Sequence, residues 1–133
     1  MPVRIVRLGS PRAKDEGLRL GTVRRPPRGV PKADFAKRDY YDVWLPELSP
    51  SAEVVSAAMQ GDWSPARWKK FVSTYIREMS APGPKHLITM LAALSRQTSF
   101  SVGCYCEDES RCHRSVLRDL LISEGAKVTD PGE

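Results

Sequence analysis

The side chains best suited to chemistry are crowded into one stretch, Gly103-Cys104-Tyr105-Cys106-Glu107-Asp108-Glu109-Ser110-Arg111-Cys112-His113-Arg114, which holds all three cysteines and one of the two histidines of the 133-residue chain. Three readings fit this set. A thiolate at a helix start is stabilised by orphan backbone N–H groups, by the helix dipole and by neighbouring cations. Cys112, followed by His113 and Arg114, is so placed if a helix begins there, which makes Cys112 a candidate nucleophile or redox centre and His113 its acid/base partner. Glu107, Asp108 and Glu109 precede the same helix, where they compete as caps with any bound anion. In the second reading Cys104, Cys106, Cys112 and His113 are four ligands for zinc or a similar soft cation. The residue types suit zinc better than the spacing, because zinc ligands usually pair across about two to four residues and adjacent Cys112 and His113 should diverge around a helix. In the third, the thiols are small apolar groups packed beneath a loop.

A second cluster with chemical potential is basic. Residues 1–38 hold eleven Lys or Arg against three acids, while residues 39–133 hold ten against thirteen, so the net charge of +5 is carried by the N-terminal third. Arg19, Arg24, Arg25, Arg28 and Lys32 surround the turn Pro26-Pro27-Arg28-Gly29-Val30-Pro31. Guanidinium groups on such a turn can clamp a phosphate or carboxylate in bidentate fashion. General binding to nucleic acid is the alternative use of this charge, although no aromatic residue for base stacking occurs between Arg4 and Lys32.

These residues need elements to position them. Val3 to Leu8 and Leu18 to Val23 have strand-like patterns separated by polar residues. The aromatic, apolar run Tyr40 to Leu48 precedes Ser49-Pro50, an N-cap signal for a short helix over about 50–59. Ser64-Pro65 opens a stronger helix with Trp68, Phe71, Val72, Tyr75, Ile76 and Met79 on one face, a core stripe. Gly83-Pro84 opens another, with Leu87, Ile88, Leu91 and Leu94 inward. Thr98 to Cys104 is the best strand candidate, Arg111 to Glu124 the last long helix, Gly125 its cap, and Ala126 to Thr129 a short final strand. Strands alternating with helices predict one α/β domain over residues 1–133, with a mainly parallel sheet flanked by helices in Rossmann-like layering. The cysteine cluster then sits on a strand-to-helix turn, where such folds place ligands.

Composition narrows the class. The chain is 41% hydrophobic and 28% charged, which suits one soluble globular core. The opening residues lack the apolar run of a signal peptide, and no stretch reaches the roughly 18 apolar residues of a membrane helix. Three cysteines cannot close a disulfide framework and Cys104 and Cys106 are too close for an unstrained bridge, so the thiols predict a reducing, cytoplasmic setting, with a bridge from Cys112 to either of the others as the alternative.

Several of these pieces resemble, in order, the domain of unknown function 488 family, with YeaO-like bacterial and archaeal proteins among its relatives. Pro27-Arg28-Gly29-Val30 is similar to its Pro-Arg-Gly-Val element, Trp44-Leu45-Pro46-Glu47-Leu48-Ser49-Pro50-Ser51 to its Trp-Leu-x-Glu-Leu-x-Pro-Ser element, and Cys112-His113-Arg114 with Leu117 to its Cys-His-Arg helix start. Where relatives read Val-Asp-Arg-Leu-Trp-Pro-Arg-Gly, this chain has Thr22-Val23-Arg24-Arg25-Pro26-Pro27-Arg28-Gly29, without the acid and the tryptophan. The resemblance implies a compact α/β domain and carries no established activity. Taken together, the residues predict a cationic pocket in which Arg24, Arg28 and Gly29 of the basic turn approach Cys112, His113 and Arg114, with Arg114 as the anion contact. Trp44 belongs either to its wall or, more in keeping with a tryptophan beside leucines, to the core.

Overall fold

In the computed structural model, residues 2–54, 64–105 and 112–129 are described. β1 (Val3–Arg7), β2 (Leu18–Gly21), β3 (Val43–Trp44), β4 (Phe100–Cys104) and β5 (Val128–Thr129) form one sheet in the order β3-β2-β4-β1-β5. Every pairing among them is parallel. β4 is buried along its whole length, as befits a strand covered on both faces.

Proline placement starts the helices. α1 (Pro65–Met79) has Ser64 as its N-cap, whose hydroxyl accepts from the Arg67 N–H at 3.1 Å, and Pro65 at the first position, where no N–H is needed. α2 (Pro82–Leu94) begins on Pro82, slightly earlier than Gly83-Pro84 suggests. α3 (His113–Ser123) begins after Cys112 and ends at Gly125, whose φ of +90° is the left-handed conformation that closes a helix. Of the short helix expected over about 50–59, residues 52–54 are helical, Pro50 and Ser51 precede it, and positions 55–59 lie outside the described residues.

The helices pack on one another, and α3 also packs on β1 and β4. Tyr75 and Met79 of α1 join Val3, Val102 and Leu117 in the main core, and Phe71 is buried beside Tyr75, stacked on its ring. Tyr75 is buried outright and donates its hydroxyl to the Leu48 carbonyl at 2.8 Å, fixing the 3-10 turn Pro46–Leu48 against α1. Two stripes are narrower than the periodicity implies. Ile76 and Leu94, both expected inward, are exposed, because α1 and α2 each pack across one strip and leave the flank to solvent. Trp44 is not in the core: it lies on the edge strand β3, 42% exposed, with its indole N–H donated to the Val23 carbonyl at 2.7 Å.

The order of the strands defines a crevice. β2 connects outward to the edge strand β3, while its neighbour β4 connects the other way, past β1 to β5, so the connections from the adjacent strands β2 and β4 leave in opposite directions. Parallel sheets bind ligands at the carboxyl ends of strands at such a switch point.

Candidate functional site

The carboxyl end of β4 delivers Cys104 to that crevice, and the preceding Gly103 makes the delivery possible. A Cβ on Gly103 would stand 2.7 Å from Leu8 Cδ2 and 2.9 Å from the Val6 carbonyl oxygen, closer than packing allows. Gly103→Ala is therefore expected to lower stability by about 1–3 kcal/mol, the usual cost of overpacking, and to displace Cys104; urea denaturation measures the first effect.

Cys112 is the N-cap of α3, with extended backbone (φ −124°, ψ 148°) and no side-chain capping bond. That conformation overturns the expectation that Cys112 and His113 diverge, since only His113 has helical geometry and the two side chains are free to converge. Sγ of Cys104, Sγ of Cys112 and a ring nitrogen of His113 all lie within 4.8 Å of one another. The three residues are 6%, 2% and 6% exposed. Cys106 and Arg111 lie outside the described residues, as do Glu107, Asp108 and Glu109.

Backbone chemistry fixes the imidazole. His113 Nε2 is 2.7 Å from the Thr22 carbonyl oxygen, which only accepts, so Nε2 carries the proton. In the neutral ring Nδ1 then presents its lone pair toward Cys112 Sγ, 3.8 Å away. Tyr75 holds the ring from one side in an edge-on contact with centroids 5.6 Å apart. Thr22 is itself pinned, its N–H and hydroxyl donating to the Gly103 carbonyl at 3.0 and 2.9 Å. β2, β4 and α3 thus meet through Thr22, Gly103 and His113. The role of Thr22 rests on its carbonyl, a group every residue has, so no residue type announces it.

Arg114, 4% exposed, donates Nη1 to the Val6 and Cys104 carbonyls at 3.2 and 3.4 Å. Among the described residues its buried Nε has no hydrogen-bond partner, nor has the buried hydroxyl of Tyr41, which packs in one apolar cluster with Cys104 and Cys112. Burial raises the Tyr41 phenol above its ordinary pKa, so it stays neutral and able to donate. An unsatisfied buried donor costs about 1–3 kcal/mol, and two occur beside the same cluster.

The basic turn lies over the same end of the sheet, but its arginines face different ways. Arg24 donates Nε to the Pro50 carbonyl and Nη2 to the Ser49 carbonyl, at 3.2 and 3.3 Å. Arg25 and Arg28 instead line a cavity of about 310 Å³ with Pro26, Pro27, Tyr40 and Tyr105. Gly29 has φ +70°, and a Cβ there would meet nothing within 4 Å, so its part is to turn the chain. Tyr105 donates its hydroxyl to the Arg25 carbonyl at 2.9 Å, joining the turn to the residue after Cys104.

With the geometry in place, comparison with known families is decisive. The family DUF488-N3a, described as the active DUF488-N3 subclade, matches residues 3–125. The chain belongs to that family. No curated protein and no solved structure matches.

In this DUF488-N3a chain the three elements behind the resemblance have distinct places. Cys112-His113-Arg114 forms the helix start at the crevice, and Pro27 and Arg28 line the cavity while Gly29 turns the chain beside them. Ser49 and Pro50 receive Arg24. The remaining basic residues of the N-terminal third are partly engaged inside the fold: Arg4 pairs with Asp15, Arg12 with Asp39 and Asp42, and the fully buried Arg19 with Glu16. Arg25 belongs to the basic cluster around the turn but takes the place expected for Arg24; Tyr40 and Tyr105 have no such signal in charge, and an aromatic residue directly after a buried strand end is what points to Tyr105. Among the described residues no helix is long and apolar enough to cross a membrane.

Proposed function

We propose that this DUF488-N3a protein is a Cys/His-dependent enzyme in which Cys104, Cys112 and His113 hold a thiophilic divalent cation, zinc above all, beside a cationic pocket for a phosphate- or nucleotide-like anion. The convergence of two thiols and one imidazole nitrogen within 4.8 Å carries this reading. Zinc with Zn–S of about 2.3 Å and Zn–N of about 2.0 Å sets its tetrahedral S···N edge at roughly 3.5 Å. The 3.8 Å between Cys112 Sγ and His113 Nδ1 is close to that edge. The bond from Nε2–H to the Thr22 carbonyl is the outer-shell contact that orients a metal-binding imidazole and fixes its tautomer.

Three ligands leave a fourth position. Cys106 filling it would make a closed, structural site; a water there would be acidified and made nucleophilic toward a bound phosphoryl or acyl group. The description of the family as active favours the open arrangement. Arg114 Nε and the Tyr41 hydroxyl, both buried without partners among the described residues, supply donors for an anion at this end of the sheet.

Elemental analysis with thiol labelling of the native protein tests the proposal. One equivalent of zinc, with Cys104 and Cys112 protected until chelator is added, is the expected result. The second reading rests on the same 3.8 Å contact, with His113 Nδ1 taking the proton of Cys112 to give a nucleophilic thiolate at the start of α3. It predicts no metal and one thiol, Cys112, that alkylates fast at neutral pH. Metal-free protein with inert thiols would sink both.

A further inference from the structure

We infer that the cavity between the basic turn and the end of β4 is a nucleotide subsite, taking the phosphate on Arg25 and Arg28 and the flat base against Tyr40 and Tyr105. The inference rests on the anion-binding part of the function proposed above and names the residues and ligand class, independently of what Cys104, Cys112 and His113 do.

The lining divides into two chemistries. Arg25 and Arg28 are exposed and have no hydrogen-bonding or ion-pair partner for their guanidinium groups among the described residues, unlike Arg4, Arg12, Arg19 and Arg24. Two unpaired guanidiniums on one rim attract an anion and suit the paired oxygens of a phosphate. Pro26, Pro27, Tyr40 and Tyr105 supply the apolar remainder. Tyr40 and Tyr105 are both half-buried and meet edge to face with centroids 6.3 Å apart. Inorganic phosphate would leave this wall unused, and an uncharged ring would leave the guanidiniums unused. A ligand with an anionic head and a flat, weakly polar body matches both, and the volume of about 310 Å³ stands at the small end of the range of small-molecule sites.

The site is also built in advance. Tyr105 is held at both ends, its hydroxyl donating to the Arg25 carbonyl at 2.9 Å and its own carbonyl accepting from Arg7 Nε at 3.4 Å. The Arg25 backbone is thereby fixed while its side chain stays available, and little ordering remains to be done on binding.

Calorimetric titration of the purified full-length chain with AMP, UMP, adenosine and inorganic phosphate tests the inference. At least one nucleotide is expected to bind, with inorganic phosphate and adenosine each at least about tenfold weaker. Arg25→Gln and Arg28→Gln should each weaken the nucleotide about tenfold to a hundredfold, the loss of one charge-assisted contact. Tyr40→Ala should weaken the nucleotide while leaving phosphate affinity within about twofold. Far-ultraviolet circular dichroism of each variant separates loss of binding from loss of fold. No nucleotide binding at millimolar concentration, equal affinity for phosphate and nucleotide, or nucleotide affinity indifferent to both arginine substitutions in folded protein would overturn it. Zinc content measured on the same samples reports separately on the Cys/His centre, so either proposal can fail alone.

Discussion

Replacing Cys112 by serine is expected to abolish stoichiometric zinc binding and, with it, any activity of the protein. Cys112 stands between the other two donors in function: it is 3.8 Å from His113 Nδ1, and its extended N-cap backbone is what lets two adjacent residues face one point. A serine hydroxyl keeps the shape and the capping geometry but is a far poorer ligand for a soft cation. Loss of an outer-shell partner costs about tenfold to a hundredfold in metal affinity, so loss of a direct thiolate should exceed a hundredfold. Cys104→Ser and His113→Ala should behave alike. Cys106→Ser discriminates within the metal reading: retention of zinc makes the fourth position open to water or substrate, whereas its loss makes the site closed and structural. Competition of a chromophoric chelator against each variant reads these affinities. Cys112→Ser retaining one equivalent of zinc at wild-type affinity would remove the metal assignment.

Much of the scaffold around this centre is legible in the residues, and the limits of legibility are physical. Ser64-Pro65 gives the start of α1 because capping and the fixed φ of proline are local effects. Phe100, Val102 and Cys104 alternate with the small Ser101 and Gly103, and that local period-two pattern gives β4. β3 is different: Val43 and Trp44 are two exposed edge residues, paired only because β2 offers Leu20 and Gly21 beside them. The cluster shows the same divide. That Cys112 and His113 begin a helix is readable, but that Cys104 joins them depends on β4 and α3 meeting at one end of the sheet. The tautomer of His113 depends on the Thr22 carbonyl, which has no signature in residue type. In the basic turn, Arg24 and Arg25 are adjacent and alike; the carbonyls of Ser49 and Pro50, which draw Arg24 away from the cavity, belong to a distant part of the chain.

The largest stability effect is expected from a pair outside the site, Glu16 and Arg19. Arg19 is 0% exposed and Glu16 2%. The pair is bidentate, with Arg19 Nε donating to Glu16 Oε2 at 2.8 Å and Nη2 to Oε1 at 2.9 Å, while Nη1 donates to the Ser10 and Asp39 carbonyls and the Ser101 hydroxyl donates to Glu16. The network ties the connection before β2, the approach to β3 and the middle of β4 into one unit. Breaking such a pair from one side strands a buried charge and costs about 3–5 kcal/mol, a large part of the roughly 5–15 kcal/mol that holds a domain together. Arg19→Met should therefore leave the protein barely folded, and Glu16→Gln should be milder because its amide oxygen still accepts from Arg19. The double variant should lose less than the sum of the two, since no charge is left stranded. The same pair predicts a pH dependence. Burial alone would raise the Glu16 pKa, but the bonds from Arg19, Ser101 and the Ala13 N–H outweigh it and hold the folded-state value below the ordinary 4.5. A carboxyl depressed by folding contributes stability above its unfolded value and loses it as pH falls through the folded one. Wild-type stability should thus decline below about pH 4.5, and Glu16→Gln should flatten that decline. Asp42, depressed in the same direction, falls in the same acid range. Urea midpoints between pH 3 and 7 for wild type, Glu16→Gln and Asp42→Asn separate the two carboxyls. An acid limb unchanged by Glu16→Gln would mean that the energy of this pair does not reside in its charge.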